Sequence, residues 1–245
     1  MPSPDKRVCV FGDSHFACAK LALDAGLVDT RGIDLEFWGN IGTRFRHLTW
    51  RNGQVEALDD FTASRFAMTN AKGRRSLCAR DFDAIFFMGC RIDVCRLFPE
   101  ALHRRRTPAL HTSDGVLKRW FGDFMRRQPP YQFAQAFAAQ QQAAILVAPV
   151  SFDTDGFEHT IPEAFQNARA AQRSDRQVLW NIVDTLMAED QIALLPQPEE
   201  TVVAGCCTHP RYAVAHHVDR KDKTHKNSAY GALILNEALD RLRAT

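Results

Sequence analysis

A serine, a histidine and an aspartate near the two ends of the chain are residue types that together support nucleophilic chemistry. Ser14 follows Gly12 and Asp13 directly after a short apolar stretch. Asp222 lies three residues before His225, so one short turn can place the carboxylate against the imidazole. Such a carboxylate fixes the histidine tautomer, and the imidazole can accept the proton of a serine hydroxyl. The competing interpretation is that Ser14 only caps a helix and that Asp222 and His225 are exposed loop residues.

The elements that must position these residues alternate between apolar strands and helices. Strands are predicted over 7–12, 33–39, 82–89, 143–152 and 192–198, and helices over 15–28, 174–190 (with Ser174 as N-cap) and 228–244. Continuous apolar runs that alternate with helices predict an α/β fold with a parallel sheet covered on both faces. The first strand then delivers Ser14 to the carboxyl edge of the sheet. Its N–H would lie at the positive end of the first helix, where it can bind an anion.

The length of 245 residues fits a single well-filled domain over 1–245. The least regular part is residues 100–142, between the third and fourth strands. We interpret it as a partly helical excursion, since long connections in open α/β sheets often cover the ligand crevice.

The two end stretches together resemble the SGNH/GDSL hydrolase superfamily. Gly12-Asp13-Ser14 is similar to the family's first motif, and Asp222 with His225 to its Asp-x-x-His motif before the C-terminal helix. The resemblance implies a three-layer α/β/α sandwich, flavodoxin-like with about five parallel strands. It implies Ser14 as nucleophile, His225 as general base and Asp222 as its partner. Members are mostly esterases, lipases, thioesterases and carbohydrate deacetylases, with some acyltransferases.

The middle motifs match less well. The resemblance implies an oxyanion hole made by the Ser14 N–H, a glycine after the second strand and an asparagine after the third. Gly42 is the best match for the glycine and Gly39 the second. Arg91 stands where the asparagine is expected. Asn40 is a further candidate for donating to the oxyanion or binding substrate.

Arg91 leaves several interpretations open. A guanidinium can replace the amide as oxyanion donor, or bind an anionic group of the substrate. It can also be a solvent-facing arginine paired with Asp93 or another carboxylate. A fourth interpretation is a catalytically weak or inactive protein of this fold that binds a carbohydrate or a partner.

A metal site is the rival interpretation of the segment 206–225. Its candidate ligands are Cys206, Cys207, His209, His216, His217, Asp219, Asp222 and His225. The segment lacks the Cys-x₂₋₄-Cys pairing typical of structural zinc, so we predict no metal and no cofactor. His216 and His217 are expected on a loop wall near the site, with His217 binding substrate.

Composition narrows the function class further. Net charge is +2, apolar residues make up 45% and charged residues 24%, which is ordinary globular usage and predicts no nucleic-acid or membrane partner. Arginine clusters at 104–106 and 126–127 are either solvated faces or a rim that attracts an anionic substrate. The apolar run near the N-terminus is too short for a secretory signal, and the seven cysteines form no disulfide framework, so we expect a cytoplasmic protein.

These observations predict a serine hydrolase that cleaves or transfers an acyl ester through an acyl-enzyme. The expected partner is a small-molecule or carbohydrate ester, with a small acyl group such as acetyl.

Overall fold

The computed structural model describes residues 5–40, 42–70 and 72–244. The strands in these ranges are β1 (Lys6–Gly12), β2 (Ile33–Gly39), β3 (Leu48–Arg51), β4 (Gln54–Ala57), β5 (Ser76–Cys78), β6 (Ala84–Gly89), β7 (Ala144–Pro149), β8 (Ala193–Leu194), β9 (Val202–Val203) and β10 (Cys207–Thr208). The α-helices are α1 (Ala17–Asp24), α2 (Asp60–Thr69), α3 (Phe98–Arg106), α4 (Asp114–Arg126), α5 (Pro129–Gln140), α6 (Arg173–Glu189) and α7 (Ser228–Ala244).

The main sheet has five parallel strands in the order β2-β1-β6-β7-β8. Counted along the chain within this sheet, the order is 2-1-3-4-5, which is the flavodoxin-like arrangement. The predicted fold class is therefore confirmed. Strand β2 has the predicted bounds, whereas β8 is reduced to two residues.

Both faces of this sheet are covered by helices. Along β1, Val8 and Val10 join an apolar cluster with α1 and α7, while Cys9 and Phe11 join a second cluster with α2 to α6. This alternation follows from the two-residue period of a strand. The chain thus forms three layers, as predicted, and the carboxyl edge of the sheet is left for the loops.

A close contact between α1 and α7 brings the two ends of the sequence together. A Cβ atom at Gly231 of α7 would lie 2.1 Å from the carbonyl oxygen of Cys18 in α1, so only glycine permits this approach. Helix α1 follows Ser14 and helix α7 follows His225. Their packing therefore sets the distance between the two predicted catalytic residues.

Three regions differ from the sequence-based prediction. Residues 48–78 form a three-stranded antiparallel sheet, β3-β4-β5, with α2 inserted before β5. Its strands have only three or four residues, too few to show a clear period in sequence. Residues 100–142 contain most of three helices, α3 to α5, and are more regular than expected. Helix α6 begins at Arg173 with a capping box between Gln172 and Asp175, so Ser174 is not its N-cap.

Among the residues described, no helix combines the length and apolar character needed to cross a membrane.

Candidate active site

Ser14 lies at the carboxyl end of β1, where the chain turns from the sheet into the first helical segment. Asp13 caps this segment, since its Oδ1 accepts from the His15 amide at 3.2 Å. A single 3₁₀ turn, Ser14–Phe16, precedes α1, so the α-helix begins three residues later than Ser14. The competing interpretation, that Ser14 is the helix cap, is therefore wrong, because Asp13 is the N-cap of this segment.

The structure brings Ser14, His225 and Asp222 into one chain of hydrogen bonds. The Oγ of Ser14 lies 2.9 Å from His225 Nε2, across 211 residues of sequence. On the other side of the ring, His225 Nδ1 lies 2.9 Å from Asp222 Oδ2 and 3.1 Å from Oδ1. Burial acts to raise the pKa of Asp222, but hydrogen bonds from the His225 amide and ring outweigh it and the pKa is lowered. An ionised Asp222 can therefore hold Nδ1–H and leave Nε2 free to take a proton from Ser14.

A buried lysine holds the loop that carries this pair. Lys226 Nζ donates to the carbonyls of Lys223 and Thr224 and to Thr154 Oγ1 at 3.0–3.2 Å. Burial lowers its pKa to about 8, against the opposing effect of carboxylates such as Asp153. At neutral pH its ammonium group fixes the backbone of the loop just before His225. Sequence reasoning missed this residue, because a lysine in a charged segment looks like a surface residue.

The loop after β6 has a backbone conformation that ordinary side chains avoid. Gly89, Cys90 and Arg91 have φ values of +70°, +49° and +56°. For a non-glycine residue this left-handed region is uncommon and often occurs at functional sites. Hydrogen bonds from Cys90 N to Met88 O and from Ile92 N to Gly89 O hold the turn. The turn directs Arg91 toward Asp13 and the cavity rather than along the sheet.

Arg91 pairs with the aspartate that precedes the serine. Its Nε lies 3.4 Å from Oδ2 of Asp13, a residue only 1% exposed, while the Arg91 side chain is 35% exposed. The ion pair predicted for the solvent-facing alternative is thus made, but with Asp13 and not with Asp93. Asp93 pairs instead with Arg96. Arg91 also lines the same cavity as Ser14, as the pocket-facing interpretation required.

The other predicted site residues divide into two groups. Gly42 lines the cavity beside Ser14, with a φ of +46°. Asn40 is 2% exposed, is not among the cavity residues, and donates from Nδ2 to the carbonyl of Thr62. His217 also lies outside the cavity lining; its ring faces Phe157 and its carbonyl accepts from the Asp222 amide at 2.8 Å. The expected contact of Asn40 and His217 with substrate is therefore not supported, since packing turns both side chains elsewhere.

His15 is a site residue that the sequence analysis did not select. Its ring stacks on that of His225, with centroids 5.2 Å apart and an interplanar angle of 22°. A Cβ on Gly89 would lie 2.6 Å from the His15 Cβ, so the glycine makes room for this ring. Burial lowers the pKa of His15, although Asp13 acts in the opposite direction. The lowered pKa favours a neutral His15 ring beside that of His225. The one feature of the sequence that could have indicated His15 is its position directly after Ser14.

A cavity of about 910 Å³ opens at the carboxyl edge of the sheet over Ser14 and His225. One wall comes from residues 42–48, and another from α4, α5 and the turn between them. The lining is partly aromatic and aliphatic: Phe45, Leu48, Phe124, Phe133, Phe152 and Phe165. The helical excursion therefore covers the crevice, as predicted, and the space is in the upper part of the range for small-molecule sites, roughly 300–1,000 Å³.

The candidate ligands of the rival metal site do not converge on one point in the described ranges, although Asp222 and His225 are in contact. Cys206 and Cys207 are buried free thiols, and burial raises the pKa of each. His209 accepts from the Arg211 amide, and His216 faces Asp219 in solvent. Within the described ranges there is no group of three or more histidine, cysteine or acidic side chains placed to bind a metal ion.

Two solved structures are among those to which this chain is similar. An extracellular lipase from Streptomyces rimosus is 11% identical, with a TM-score of 0.47, over 96% of this chain and 99% of that one. A carbohydrate esterase family 2 enzyme from Corynascus thermopiles is 13% identical, with a TM-score of 0.39, over 100% of this chain and 68% of that one. No protein-family model matches the sequence, and no curated protein does.

Proposed function

We propose that this chain is a serine ester hydrolase of the SGNH/GDSL type. The observation that carries the proposal is the chain of hydrogen bonds from Ser14 through His225 to Asp222, at the floor of a cavity that can hold a small molecule. Ser14 Oγ attacks the ester carbonyl while His225 Nε2 takes its proton. The imidazolium, held by ionised Asp222, then protonates the departing alkoxide, and an acyl-enzyme remains. A water molecule, deprotonated by His225, releases the acid and regenerates Ser14.

The Ser14 and Gly42 N–H groups and the Arg91 guanidinium are the proposed donors to the oxyanion. Ser14 begins a helical turn, where the first N–H groups have no partner within the helix. Gly42 and Arg91 line the same cavity. Losing one oxyanion donor lowers kcat about 10²–10³-fold. The turnover rate therefore depends on whether Arg91 donates in place of the expected asparagine.

The proposed substrate is a small-molecule ester, with a small acyl group on a carbohydrate as the first candidate. An acyltransferase would run the same steps with a hydroxyl acceptor in place of water. A series of p-nitrophenyl esters from acetyl to long chain measures the acyl preference. All seven cysteines are free thiols, which supports the proposal of a cytoplasmic location.

A binding protein without catalytic power is the second candidate, and the Arg91–Asp13 ion pair favours it, since a guanidinium engaged with a carboxylate has fewer donors for an oxyanion. Labelling with a fluorophosphonate probe separates the two. We expect covalent labelling of the wild type at Ser14 and none of Ser14→Ala. Loss of the hydroxyl removes little packing, so Ser14→Ala is also expected to retain the thermal stability of the wild type. An unlabelled wild type, or an alanine variant with wild-type ester turnover, contradicts the hydrolase.

A further inference from the structure

The charged residues around the cavity are not balanced. Five cationic side chains line it, Arg46, Arg91, Arg96, Arg127 and Lys223, together with three carboxylates, Asp13, Asp93 and Asp153. Each carboxylate already has one cation as its partner: Asp13 has Arg91, Asp93 has Arg96 and Asp153 has Lys223. Within the described part of the chain, neither Arg46 nor Arg127 has an ion-pair partner.

The two remaining arginines are held at the cavity by separate elements. Arg46 lies in the 3₁₀ segment Gly42–His47, between Phe45 and the start of β3. Arg127 is the C-cap of α4. The next residue, Gln128, accepts from the Asp93 amide at 3.1 Å, which ties the turn between α4 and α5 to the loop that carries Arg91. Helix α5 then begins with two prolines, which stiffen this turn.

We propose that Arg46 and Arg127 bind a negatively charged oxyacid group, a carboxylate or a phosphate, carried by the ester substrate. This inference rests on the proposed hydrolase function and adds the chemical class of its substrate. Arginine presents a planar fork of N–H donors that matches carboxylate and phosphate oxygens. A neutral sugar ester offers no such group.

The apolar lining agrees with a substrate of mixed character. Phenylalanines at 45 and 124 belong to the same two walls that carry Arg46 and Arg127. A ligand with an apolar body against these rings can place its anionic group toward the two arginines. Because both arginines are exposed, their attraction for the anion is expected to weaken with salt.

The test compares esters that differ only in charge. 4-Acetoxybenzoate and its methyl ester vary the alcohol side, and the 4-nitrophenyl monoester of adipic acid and 4-nitrophenyl hexanoate vary the acyl side. We expect the wild type to favour the anionic member of at least one pair by about tenfold or more in kcat/KM. The double variant Arg46→Ala with Arg127→Ala is expected to lower that ratio about tenfold.

Arg126→Ala is the matched control, since Arg126 is the exposed neighbour of Arg127 and does not line the cavity. It is expected to keep the wild-type ratio. Equal use of both members of both pairs by the wild type, or a preference that survives the double substitution, overturns the inference.

Calorimetric titration of Ser14→Ala with 4-acetoxybenzoate and with its methyl ester separates this inference from the hydrolase itself. Tighter binding of the acid, lost when Arg46 and Arg127 are also replaced, supports the anion site even if no ester is cleaved. Equal binding of the two esters by Ser14→Ala overturns the inference for the alcohol side of the substrate. Binding of 4-nitrophenyl hexanoate is then compared with binding of the 4-nitrophenyl monoester of adipic acid to decide the acyl side. Failure of the hydrolase is read independently, from absent labelling of Ser14.

Discussion

The guanidinium of Arg91 lies between the buried carboxylate of Asp13 and the cavity over Ser14. Asp13 is almost fully buried, and among the residues described Arg91 is the cation within reach of its Oδ2. A buried carboxylate without a partner is costly, so this arginine supports the turn that holds Ser14. The rest of the guanidinium remains available at the cavity, where it can donate to an oxyanion. The side chain that supports the turn is thus also the proposed oxyanion donor.

Arg91→Asn tests this double role. Asparagine tolerates the left-handed backbone at this position, so the substitution adds little strain. We expect kcat/KM on a neutral acetyl ester to fall at least about tenfold, near 1.4 kcal/mol of transition-state stabilisation. Unfolding in urea is expected to show a loss of about 1–3 kcal/mol, because Asp13 loses its cation. Arg91→Lys keeps the positive charge but not the planar pair of donors, so its kcat/KM should lie between those of the wild type and of Arg91→Asn. Full activity in Arg91→Asn would exclude the donor role.

The geometry of the proposed triad depends on how closely α1 packs against α7. Neither helix carries a member of the proposed triad, yet each begins just after one. Gly231 faces the backbone of Cys18 and Ala19, with 2.1–2.6 Å available to an added Cβ. Since these neighbours are backbone atoms, a side chain here can fit only if the two helices move apart.

Gly231→Ala is therefore expected to destabilise the fold and lower kcat together. Helix propensity alone predicts the reverse, a gain of up to about 1 kcal/mol. Displacement of α7 moves His225 away from Ser14, so kcat should fall while both residues are intact. Gly115→Ala in α4 is the matched control, because an added Cβ there meets nothing within 4 Å. Thermal unfolding and kcat are the two measurements, and a stabilised, fully active Gly231→Ala would contradict the packing argument.

In the whole molecule, charged side chains from segments far apart in sequence line the same cavity. Asp13 follows β1, Arg46 follows β2, Asp93 follows β6 and Asp153 follows β7. These positions are neighbours because the strands are parallel and all end at one edge of the sheet. The potential felt by a substrate is the sum of these charges, so titration of one carboxylate changes it.

Asp93 gives this potential a pH dependence. Burial raises the pKa of Asp93 to about 6, against the opposing effect of Arg96, with Asp153 raising it further. Below pH 6 the carboxyl becomes neutral, Arg96 loses its partner, and the cavity gains one positive charge. The ratio of kcat/KM for anionic over neutral esters should therefore rise as pH falls through about 6, on the basis of this pKa.

Asp93→Asn is the variant that isolates this titration. It keeps the shape of the side chain and has no charge to lose. We expect a high ratio already at pH 7 and a weaker dependence on pH between 5 and 7 than in the wild type. An unchanged pH profile of the ratio in Asp93→Asn would assign the dependence to another group.

Local sequence patterns predicted the sheet and the residues at the two ends of the proposed site. Five apolar runs predicted the parallel strands. A strand that is buried on both faces is apolar along its whole length, so it is visible in sequence as a continuous apolar run. Ser14, Asp222 and His225 were selected from local motifs, since a strand-to-helix turn and a three-residue offset are visible in the chain itself. The same motifs predicted that His225 reaches Ser14 at about hydrogen-bond distance, and the two side chains lie 2.9 Å apart in the structure.

The surroundings of these residues depend on contacts between segments that are distant in sequence. The partner of Arg91, the burial of Lys226 and the stacking of His15 on His225 join residues from different strands and loops. Asn40 and His217 have suitable side chains for a site, but packing turns them away from the cavity. A local pattern states which groups are available. Which of them face one another depends on loop paths and strand order, and those follow from the packing of the whole chain.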